Sequence, residues 1–439
     1  MRTGILHGMA ALTACLLLAS CAPADTADTS SGAAEGTSAS SGSTTVRQTA
    51  TVMQTQETST MHTSTATART TTANTTAARP ASTGKTTAAP TEATGSSAAT
   101  AAVSTVGRTT EAMLASMTLE QKVGQLFFVR CRPDSAVQDI RQYHLGGLIL
   151  FARDTKEETK ASLTAKIASY QQAAAVPLLI GVDEEGGKVN RVSLYKAFRE
   201  TPFLSPQELY AQGGFALIER DAKEKALLLG SLGICVNLAP VCDVSVDAAD
   251  YIYPRAFGRD AKQTAVFVRT VVRAMQANGV GAVLKHFPGY GSNPDTHTGS
   301  AVDNRPYSAF AASDFLPFQA GIEAGAGAVL VSHNVMACVD AQAPASLSPA
   351  VHEVLRGALG FGGVIMTDDL AMQAVSEYAG TQASAVLAIQ AGNDLVVTTD
   401  FDRQIPAVLA AVREGRIPEA RLDQSVRRVL EWKRALGLL

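Results

Sequence analysis

Residues 280–297 read VGAVLKHFPGYGSNPDTH and combine an apolar run with a cluster of ionisable side chains. The first five residues form the apolar run, which is bounded by Gly and Pro and predicts a short buried strand. Behind it come a lysine, two of the chain's seven histidines and an aspartate, with Asp295 two residues before His297. In α/β barrels the reactive groups lie at the carboxyl ends of the strands. A single histidine is usually a packed side chain, but this clustering predicts a barrel strand followed by a functional loop.

Apolar runs of this kind recur along the chain and alternate with helical segments. Eight runs cover residues 126–129, 147–151, 177–182, 234–239, 281–284, 328–332, 363–367 and 395–398, with helical periodicity at 219–229, 263–277 and 383–391. Continuous apolar runs are typical of parallel strands buried on both faces. The alternation predicts an α/β fold, a single (β/α)8 TIM-like barrel. An open doubly wound sheet is the main alternative, although no Gly-x-Gly-x-x-Gly motif follows the first strand.

Two further segments predict the helices at the ends of this domain. Thr118 and Gln121 have the spacing of a capping box, which predicts the start of the first helix. Residues 417–439 have the pattern of a final amphipathic helix, in which Val426, Val429 and Leu430 form the apolar face. We expect Trp432 on this helix to be a packing residue.

Residues 1–20 have the pattern of a bacterial signal peptide. Arg2 precedes an apolar core at residues 5–19, which is too short for a permanent membrane anchor. Residues 18–21 read LASC and match the cleavage box of bacterial lipoproteins. In that class the cysteine is acylated, so a lipid on Cys21 would hold the protein at a membrane surface. An ordinary secretory signal with a chance cysteine is the alternative.

Residues 21–105 consist mostly of Thr, Ser, Ala and Gly. Large apolar side chains are almost absent, so this segment cannot bury enough surface to offset the entropy of ordering. It is therefore expected to be a disordered tether between the lipid and a globular domain at residues 106–439. That domain is long enough for one large barrel.

Charge and cysteine content exclude two classes of function. The formal net charge of −3 argues against nucleic acid as a partner. Of six cysteines, Cys15 leaves with the signal peptide and Cys21 would carry lipid. The other four form no C-x-x-C pair, so neither a metal site nor a redox motif is indicated. Cys235 and Cys242 have apolar neighbours and are expected to be small core residues rather than disulfide partners.

Carboxylates follow two more of the predicted strands. Residues 181–191 read GVDEEGGKVNR, in which Asp183 ends the strand. Three adjacent carboxylates cannot all be buried as ions without partners, so we expect them to face a polar cavity or solvent. Asp368 and Asp369 follow the seventh run and precede a helix. A helix-capping role would account for only one of these two aspartates.

A nucleophilic carboxylate and a general acid suffice for the hydrolysis of a glycosidic bond with retention of configuration. A carboxylate attacks the anomeric carbon, and an acid protonates the leaving oxygen and later acts as a base towards water. Asp368 suits the first role, and His297 suits the second if Asp295 orients it. Arg191, Arg255 and Lys285 are then expected to hold sugar hydroxyls.

Several motifs in the same order resemble one family. They are MTLEQKVGQ at 117–125, GGLILF at 146–151, residues 183–191, NLAPVCDV at 237–244, RAF at 255–257, residues 285–297 and GVIMTDDLAM at 363–372. Over residues 117–439 the chain resembles glycoside hydrolase family 3, in particular its bacterial β-N-acetylglucosaminidase branch. The resemblance implies a barrel without metal or organic cofactor. The family's glucosidase branch usually takes its acid/base group from a second, C-terminal domain. We expect no such domain in this chain, which favours the histidine.

The resemblance also implies roles for individual residues. Asp368 matches the nucleophile, His297 the acid/base and Asp295 its partner. The positions that grip the sugar next to the scissile bond match Asp183, Arg191, Arg255, Lys285 and His286. Tyr290 stands where the branch usually has a histidine, Thr296 replaces a common serine, and the loop between them is one residue shorter than usual.

These inferences converge on an extracytoplasmic enzyme, lipid-anchored to the bacterial cell membrane. We expect a monomeric, retaining exo-β-N-acetylglucosaminidase that acts on terminal β-linked GlcNAc of peptidoglycan-derived or other glycans. Three alternatives remain open at this point: a β-glucosidase, a glycoside phosphorylase that uses the same intermediate, and a catalytically idle glycan-binding lipoprotein.

Overall fold

A computed structural model describes residues 109–296, 299–380 and 383–439. The predicted signal peptide, Cys21, the tether at 21–105 and the candidate acid/base His297 lie outside the described residues. Those predictions therefore stay predictions.

The described residues form ten strands, and eight of them make up the predicted barrel of parallel strands. The strands are β1 Phe127–Arg130, β2 Gly147–Leu150, β3 Leu179–Val182, β4 Val236–Asn237, β5 Gly281–Phe287, β6 Val302–Asp303, β7 Ala328–Val331, β8 Val335–Met336, β9 Val364–Thr367 and β10 Val396–Thr398. The barrel order is β10-β1-β2-β3-β4-β5-β7-β9, and β6 and β8 form a separate parallel pair. A parallel bridge between Met366 and Leu395 joins β9 to β10, so the sheet nearly closes on itself. This closure confirms the barrel and excludes the open doubly wound sheet.

Helices lie between the strands, as the alternation predicted. They are α1 Thr110–Ser116, α2 Leu119–Gln125, α3 Ala136–Tyr143, α4 Ala152–Thr155, α5 Lys160–Ala173, α6 Pro206–Ser231, α7 Ala261–Gln276, α8 Tyr307–Ala312, α9 Phe315–Glu323, α10 Pro349–Glu353, α11 Gln373–Ala379, α12 Ser384–Ala391, α13 Phe401–Arg413 and α14 Glu419–Ala435. The capping box at Thr118 and Gln121 is present at the start of α2. Among the described residues, no helix is both long enough and apolar enough to cross a bilayer.

Alternate residues of each strand point into the barrel and pack against one another. This inner layer consists of Phe128, Ile149, Leu179, Val236, Leu238, Val283, Ala328, Leu330, Val364, Met366, Leu395 and Val397. Gly181 on β3 leaves room for the Phe128 ring, because a Cβ on Gly181 would lie 2.3 Å from that ring. Since side chains alternate along a strand, the residues two positions beyond this layer also point inwards, at the carboxyl end of the barrel.

The amino end of the barrel is covered by α14. Val429 and Trp432 of this helix belong to the inner apolar layer, and Trp432 is 6% exposed. Gly281, the first residue of β5, and Gly327, just before β7, lie against the indole, and a Cβ at Gly327 would lie 2.2 Å from its Nε1. The amphipathic final helix and the packing role of Trp432 are therefore confirmed.

The cysteines of the described region form no disulfide. Cys131, Cys235, Cys242 and Cys338 are all free. Cys242 is buried in the core that surrounds the barrel, and Cys235 packs against that core, as their apolar neighbours predicted.

Candidate active site

A cavity of about 730 Å³ opens at the carboxyl end of the barrel. Its floor is the top of the inner apolar layer, with Ile149, Leu238, Leu330 and Val397. The strand alternation places six more residues just above that floor, and all six line the cavity: Arg130, Phe151, Asp183, Lys285, Asp368 and Thr399. The fold itself therefore brings charges from distant parts of the sequence into one pocket.

One wall of the cavity, above β3–β5, holds a network of paired charges. Lys285 Nζ lies 2.6 Å from Asp183 Oδ1 and 2.6 Å from Glu185 Oε1. Arg255 donates two hydrogen bonds to the same Glu185 carboxylate, at 3.0 and 2.7 Å. A two-pronged guanidinium–carboxylate pair is among the strongest polar contacts in proteins. The network holds four side chains, from the loops after β3 and β4 and from strand β5, in one arrangement.

The network also keeps its members charged. Burial by itself raises the pKa of the Glu185 carboxyl, but Lys285 and Arg255 outweigh it and hold that pKa well below its usual range. Burial lowers the pKa of the Lys285 ammonium, yet Asp183 and Glu185 leave the pKa above its ordinary value. These groups thus present fixed charges and hydrogen-bond partners to a ligand at neutral pH.

His286 joins this wall through both ring nitrogens. Its Nδ1 lies 2.8 Å from Asp243 Oδ2, and its Nε2 lies 3.2 Å from Arg255 Nη2. Because a guanidinium can only donate, this network assigns Nε2 as the acceptor and places the ring proton on Nδ1, facing Asp243. The backbone N–H of Tyr290 donates to the second Asp243 oxygen at 2.7 Å. Asp243 therefore sets both the tautomer and the orientation of His286.

The three adjacent carboxylates after β3 divide into two kinds. Asp183 and Glu185 line the cavity, whereas Glu184 is fully buried away from it. Glu184 accepts backbone hydrogen bonds from Arg191, Val192 and Ser193 at 2.8, 2.7 and 3.1 Å. The expectation that all three carboxylates face a cavity or solvent is wrong for Glu184, because backbone amides satisfy its charge. Glu184 thereby holds the loop that carries Arg191 to the cavity.

Asp368 and Asp369 both line the cavity but have different surroundings. Asp369 accepts hydrogen bonds from the Ala371 backbone at 3.0 Å and from the Thr399 hydroxyl at 3.1 Å, so its carboxylate supports the turn after β9. Asp368 accepts the backbone N–H of Asp369 at 2.8 Å. Burial, followed by the negative charge of Asp368, raises the pKa of the Tyr290 phenol. The capping-type role therefore belongs to Asp369, and Asp368 faces Tyr290 across the pocket.

The loop that leads to His297 is held at several points. The Tyr290 hydroxyl lies 2.6 Å from Thr296 Oγ1, so the two departures from the usual family residues contact each other. Asn293 donates to Asp303 Oδ2 at 2.8 Å. Burial and the nearby Asp295 carboxylate raise the pKa of the Tyr251 phenol, which places Asp295 beside Tyr251.

The structure thus brings most of the predicted site residues together. Those that line the one cavity are Asp183, Arg191, Arg255, Lys285, His286 and Asp368. Sequence reasoning missed Glu185, Asp243, Tyr290 and Arg130 as parts of the site. Of these, Arg130 had a usable signal, because it follows the inward-facing Phe128 by two residues. Within the described residues, no group of three His, Cys, Asp or Glu side chains is arranged to hold a metal ion.

The barrel and its charged cavity define the chain as an enzyme of the (β/α)8 class. The sequence places it more narrowly: it belongs to glycoside hydrolase family 3, whose profile, described as Glycosyl hydrolase family 3 N terminal domain, matches residues 118–432.

Individual relatives agree with this assignment. A β-hexosaminidase of Stenotrophomonas maltophilia (strain R551-3) is 39% identical over 259 residues, which cover 58% of this chain and 76% of that protein. A solved family 3 β-N-acetylglucosaminidase from Paenibacillus sp. str. FPU-7 is 34% identical with a TM-score of 0.69, covering 74% of this chain. The match spans only 63% of the Paenibacillus chain. The β-N-acetylhexosaminidase of Beutenbergia cavernae DSM 12333 is 32% identical with a TM-score of 0.64, covering 73% of this chain and 99% of that one.

Proposed function

We propose that the protein is a retaining exo-β-N-acetylglucosaminidase that removes terminal β-linked GlcNAc from peptidoglycan-derived or other glycans. The observation that carries this proposal is the position of Asp368, which lies in the same cavity as the Asp183–Lys285–Glu185–Arg255 network. The β-hexosaminidase names of the relatives support the choice of sugar.

In the proposed first step an oxygen of Asp368 attacks the anomeric carbon, and the bond from that carbon to the leaving oxygen breaks. His297, oriented by Asp295, gives its proton to the leaving oxygen. In the second step the neutral imidazole takes a proton from water, and the resulting hydroxide oxygen displaces Asp368 from the anomeric carbon. The configuration at that carbon is inverted twice and therefore retained.

The network of Asp183, Lys285, Glu185 and Arg255 binds the sugar. Asp183 can accept from a sugar hydroxyl while Lys285 pairs with its carboxylate, and Arg255 presents guanidinium N–H groups beside it. The ring N–H of His286 faces Asp243, so His286 contributes by orienting Arg255 through Nε2. None of these groups has to move or change protonation during the reaction, because their mutual contacts already orient them. Binding energy is thereby available to position the anomeric carbon against Asp368.

The decisive experiment assays the purified full-length chain with p-nitrophenyl β-GlcNAc and p-nitrophenyl β-glucoside, each with and without phosphate. Turnover of the GlcNAc substrate alone, with free GlcNAc as product in both buffers, supports the proposal. Preferential turnover of the glucoside would make the protein a β-glucosidase. A sugar 1-phosphate formed in phosphate buffer would make it a phosphorylase, and binding without turnover would make it an idle binder.

We further propose that the enzyme acts outside the cytoplasm, held to the membrane by a lipid on Cys21. Support comes from the LASC motif and the apolar core before it. A Cys21→Ala variant expressed in a bacterium is expected to move from the membrane fraction to the soluble extracytoplasmic fraction. Equal membrane retention of both proteins would contradict lipid anchoring.

A further inference from the structure

Tyr290 is a buried side chain in the lining of the cavity, close to the proposed nucleophile. It is only 2% exposed. Burial, followed by the nearby Asp368 carboxylate, raises the pKa of its phenol. The hydroxyl therefore keeps its proton at neutral pH and is available as a hydrogen-bond donor. In the sequence, Tyr290 also stands near the start of the loop that leads to the candidate acid/base His297.

The backbone and the ring of Tyr290 are both fixed by the barrel. The Tyr290 N–H donates to Asp243 Oδ1 at 2.7 Å, and the other Asp243 oxygen accepts from the backbone N–H of His286 at 3.1 Å. The ring packs with Val241 and Ile252 in a small apolar cluster. Its centre is 5.3 Å from that of the His286 ring, in an edge-to-face contact. Tyr290 therefore has a defined position relative to β5, the strand that contains His286.

The hydroxyl of Tyr290 connects this fixed residue to the other end of the loop. It lies 2.6 Å from Thr296 Oγ1 and, as a protonated phenol, can donate to that oxygen. The Thr296 side chain is fully buried, so bulk water would not replace a lost partner. Thr296 stands between Asp295 and His297 in the sequence. The hydrogen bond therefore joins two residues six positions apart, directly beside the proposed acid/base pair.

Asn293 supports the middle of the same loop. Its backbone N–H and its side-chain amide both donate to the Tyr290 carbonyl, at 3.0 and 2.8 Å. The amide also donates to Asp303 Oδ2 at 2.8 Å. These bonds fix the loop as far as Asn293, and the hydroxyl pair extends the support to the residue before His297.

A retaining glycosidase needs its acid/base at a fixed, short distance from its nucleophile. Even a small misplacement of a reacting group lowers the rate strongly. We propose that Tyr290 is a positioning residue for the general acid. Its hydroxyl, through Thr296, fixes the segment that carries His297 relative to Asp368. This inference rests on the proposed glycosidase function and adds a residue to it.

The test compares kcat/KM of the full-length enzyme for a β-linked GlcNAc disaccharide and for p-nitrophenyl β-GlcNAc. Both values report the first chemical step, in which the disaccharide needs a proton from the acid and nitrophenolate does not. Tyr290→Phe removes the hydroxyl and keeps the ring. We expect it to lower the disaccharide-to-aryl ratio about fivefold, the factor that corresponds to one hydrogen bond between neutral groups.

Variants of Thr296 test the other half of the contact. Thr296→Val removes the hydroxyl at similar volume and is expected to lower the ratio as much as Tyr290→Phe. Thr296→Ser keeps a hydroxyl and is expected to restore the ratio. The double variant Tyr290→Phe/Thr296→Val is expected to be no worse than either single variant, because all three remove one contact. Losses that multiply in the double variant would contradict the proposal. If Tyr290→Phe does not fold, the two Thr296 variants decide.

Tyr170→Phe is the matched control. Tyr170 is 3% exposed, and its hydroxyl contacts Cys131 Sγ at 3.9 Å, but it belongs to α5 rather than to the cavity lining. Loss of this buried hydroxyl is expected to leave the ratio at the wild-type value. An unchanged ratio in Tyr290→Phe, or equal losses on both substrates, would overturn the inference.

Hydrogen–deuterium exchange separates failure of this inference from failure of the proposed function. If the wild-type enzyme turns over neither substrate, the glycosidase proposal fails, and exchange alone then judges whether Tyr290 fixes the loop. We expect the amides of residues 291–296 to exchange faster in Tyr290→Phe and Thr296→Val than in the wild type and Tyr170→Phe. Equal exchange in all four proteins would show that the hydroxyl pair does not hold the loop.

Discussion

The ammonium of Lys285 lies 2.6 Å from the carboxylate of Glu185, and each side chain is only 3% exposed. The same carboxylate receives two hydrogen bonds from Arg255. Glu185 is therefore the common partner of two cations that face the cavity. Its removal would leave Arg255 without a carboxylate partner among the described residues and Lys285 with Asp183 alone.

We expect Glu185→Gln to reduce both stability and activity. Breaking a buried ion pair from one side costs about 3 kcal/mol in the free energy of unfolding. Displacement of Lys285 and Arg255 is expected to lower kcat/KM about 100-fold, the cost of a small misplacement of binding groups. Urea unfolding and steady-state kinetics measure the two effects.

The control is Glu200→Gln. Glu200 pairs with Lys196 at 3.0 Å, but both side chains are 81% exposed, so neither stability nor kcat/KM is expected to change. A Glu185→Gln enzyme with normal kinetics would show that the network has no part in substrate binding.

The adjacent carboxylates Asp368 and Asp369 give a second prediction. Asp368→Asn is expected to lower kcat at least about 10⁴-fold, because the nucleophile is lost. The amide oxygen of the variant can still accept the Asp369 backbone N–H, so the melting temperature is expected to change little. Asp369→Asn is expected to retain far more activity and to lose stability, because it weakens the turn held by Ala371 and Thr399. Mass spectrometry of enzyme trapped with a 2-fluoro sugar would identify the labelled aspartate. Label on Asp369 would reverse the assignment.

A third prediction concerns His297 and rests on the sequence. His297→Ala is expected to slow hydrolysis of a GlcNAc disaccharide by about 10²–10⁴-fold, the usual contribution of a general acid. The rate of the first step with p-nitrophenyl β-GlcNAc is expected to fall much less, because nitrophenolate leaves without a proton. Equal losses on both substrates would argue against an acid role.

A fourth prediction follows from a lysine buried beneath the barrel. Lys433 is fully buried, its Nζ lies 2.6 Å from Gln125 Oε1, and burial lowers its pKa to about 7. The unfolded chain keeps a lysine pKa of roughly 10.4, so between these values it binds more protons than the folded protein. Stability is therefore expected to rise with pH from about 7 to roughly 10.4, by at most about 1.4 kcal/mol per pH unit from this group.

Lys433→Met should remove that part of the slope. The measurement is the free energy of unfolding in urea at several pH values in that window. Lys156→Met, at an exposed position, should keep the wild-type slope. An unchanged slope in Lys433→Met would show that Lys433 is charged in the folded protein.

The sequence predicted the strands well where they are apolar, and less well where they are charged. Each of the eight predicted runs overlaps a barrel strand, but β1 and β5 continue beyond their predicted ends at residues 129 and 284, to Arg130 and Phe287. Lys285 and His286 looked like loop residues because they are ionisable. They remain in a buried strand because Asp183, Glu185 and Asp243 satisfy them, and those partners come from the loops after β3 and β4.

The same reason explains the site residues that were missed. Lys285 and Asp183 are 102 positions apart in the chain, and His286 and Asp243 are 43 apart. No local pattern reveals such pairs, so Glu185 and Asp243 were not predicted as parts of the site. Residues directly after a strand, such as Asp183 and Asp368, were predictable because strand ends can be located from the apolar runs.

The position of α14 has a consequence for biosynthesis. This helix supplies Val429 and Trp432 to the apolar layer inside the barrel, yet the ribosome makes it after every strand. Before α14 has been synthesised, the apolar side chains inside the barrel are exposed at its amino end. The barrel therefore cannot be completed until this helix has been made, and a chain truncated shortly before it is expected to aggregate rather than to form a shortened enzyme.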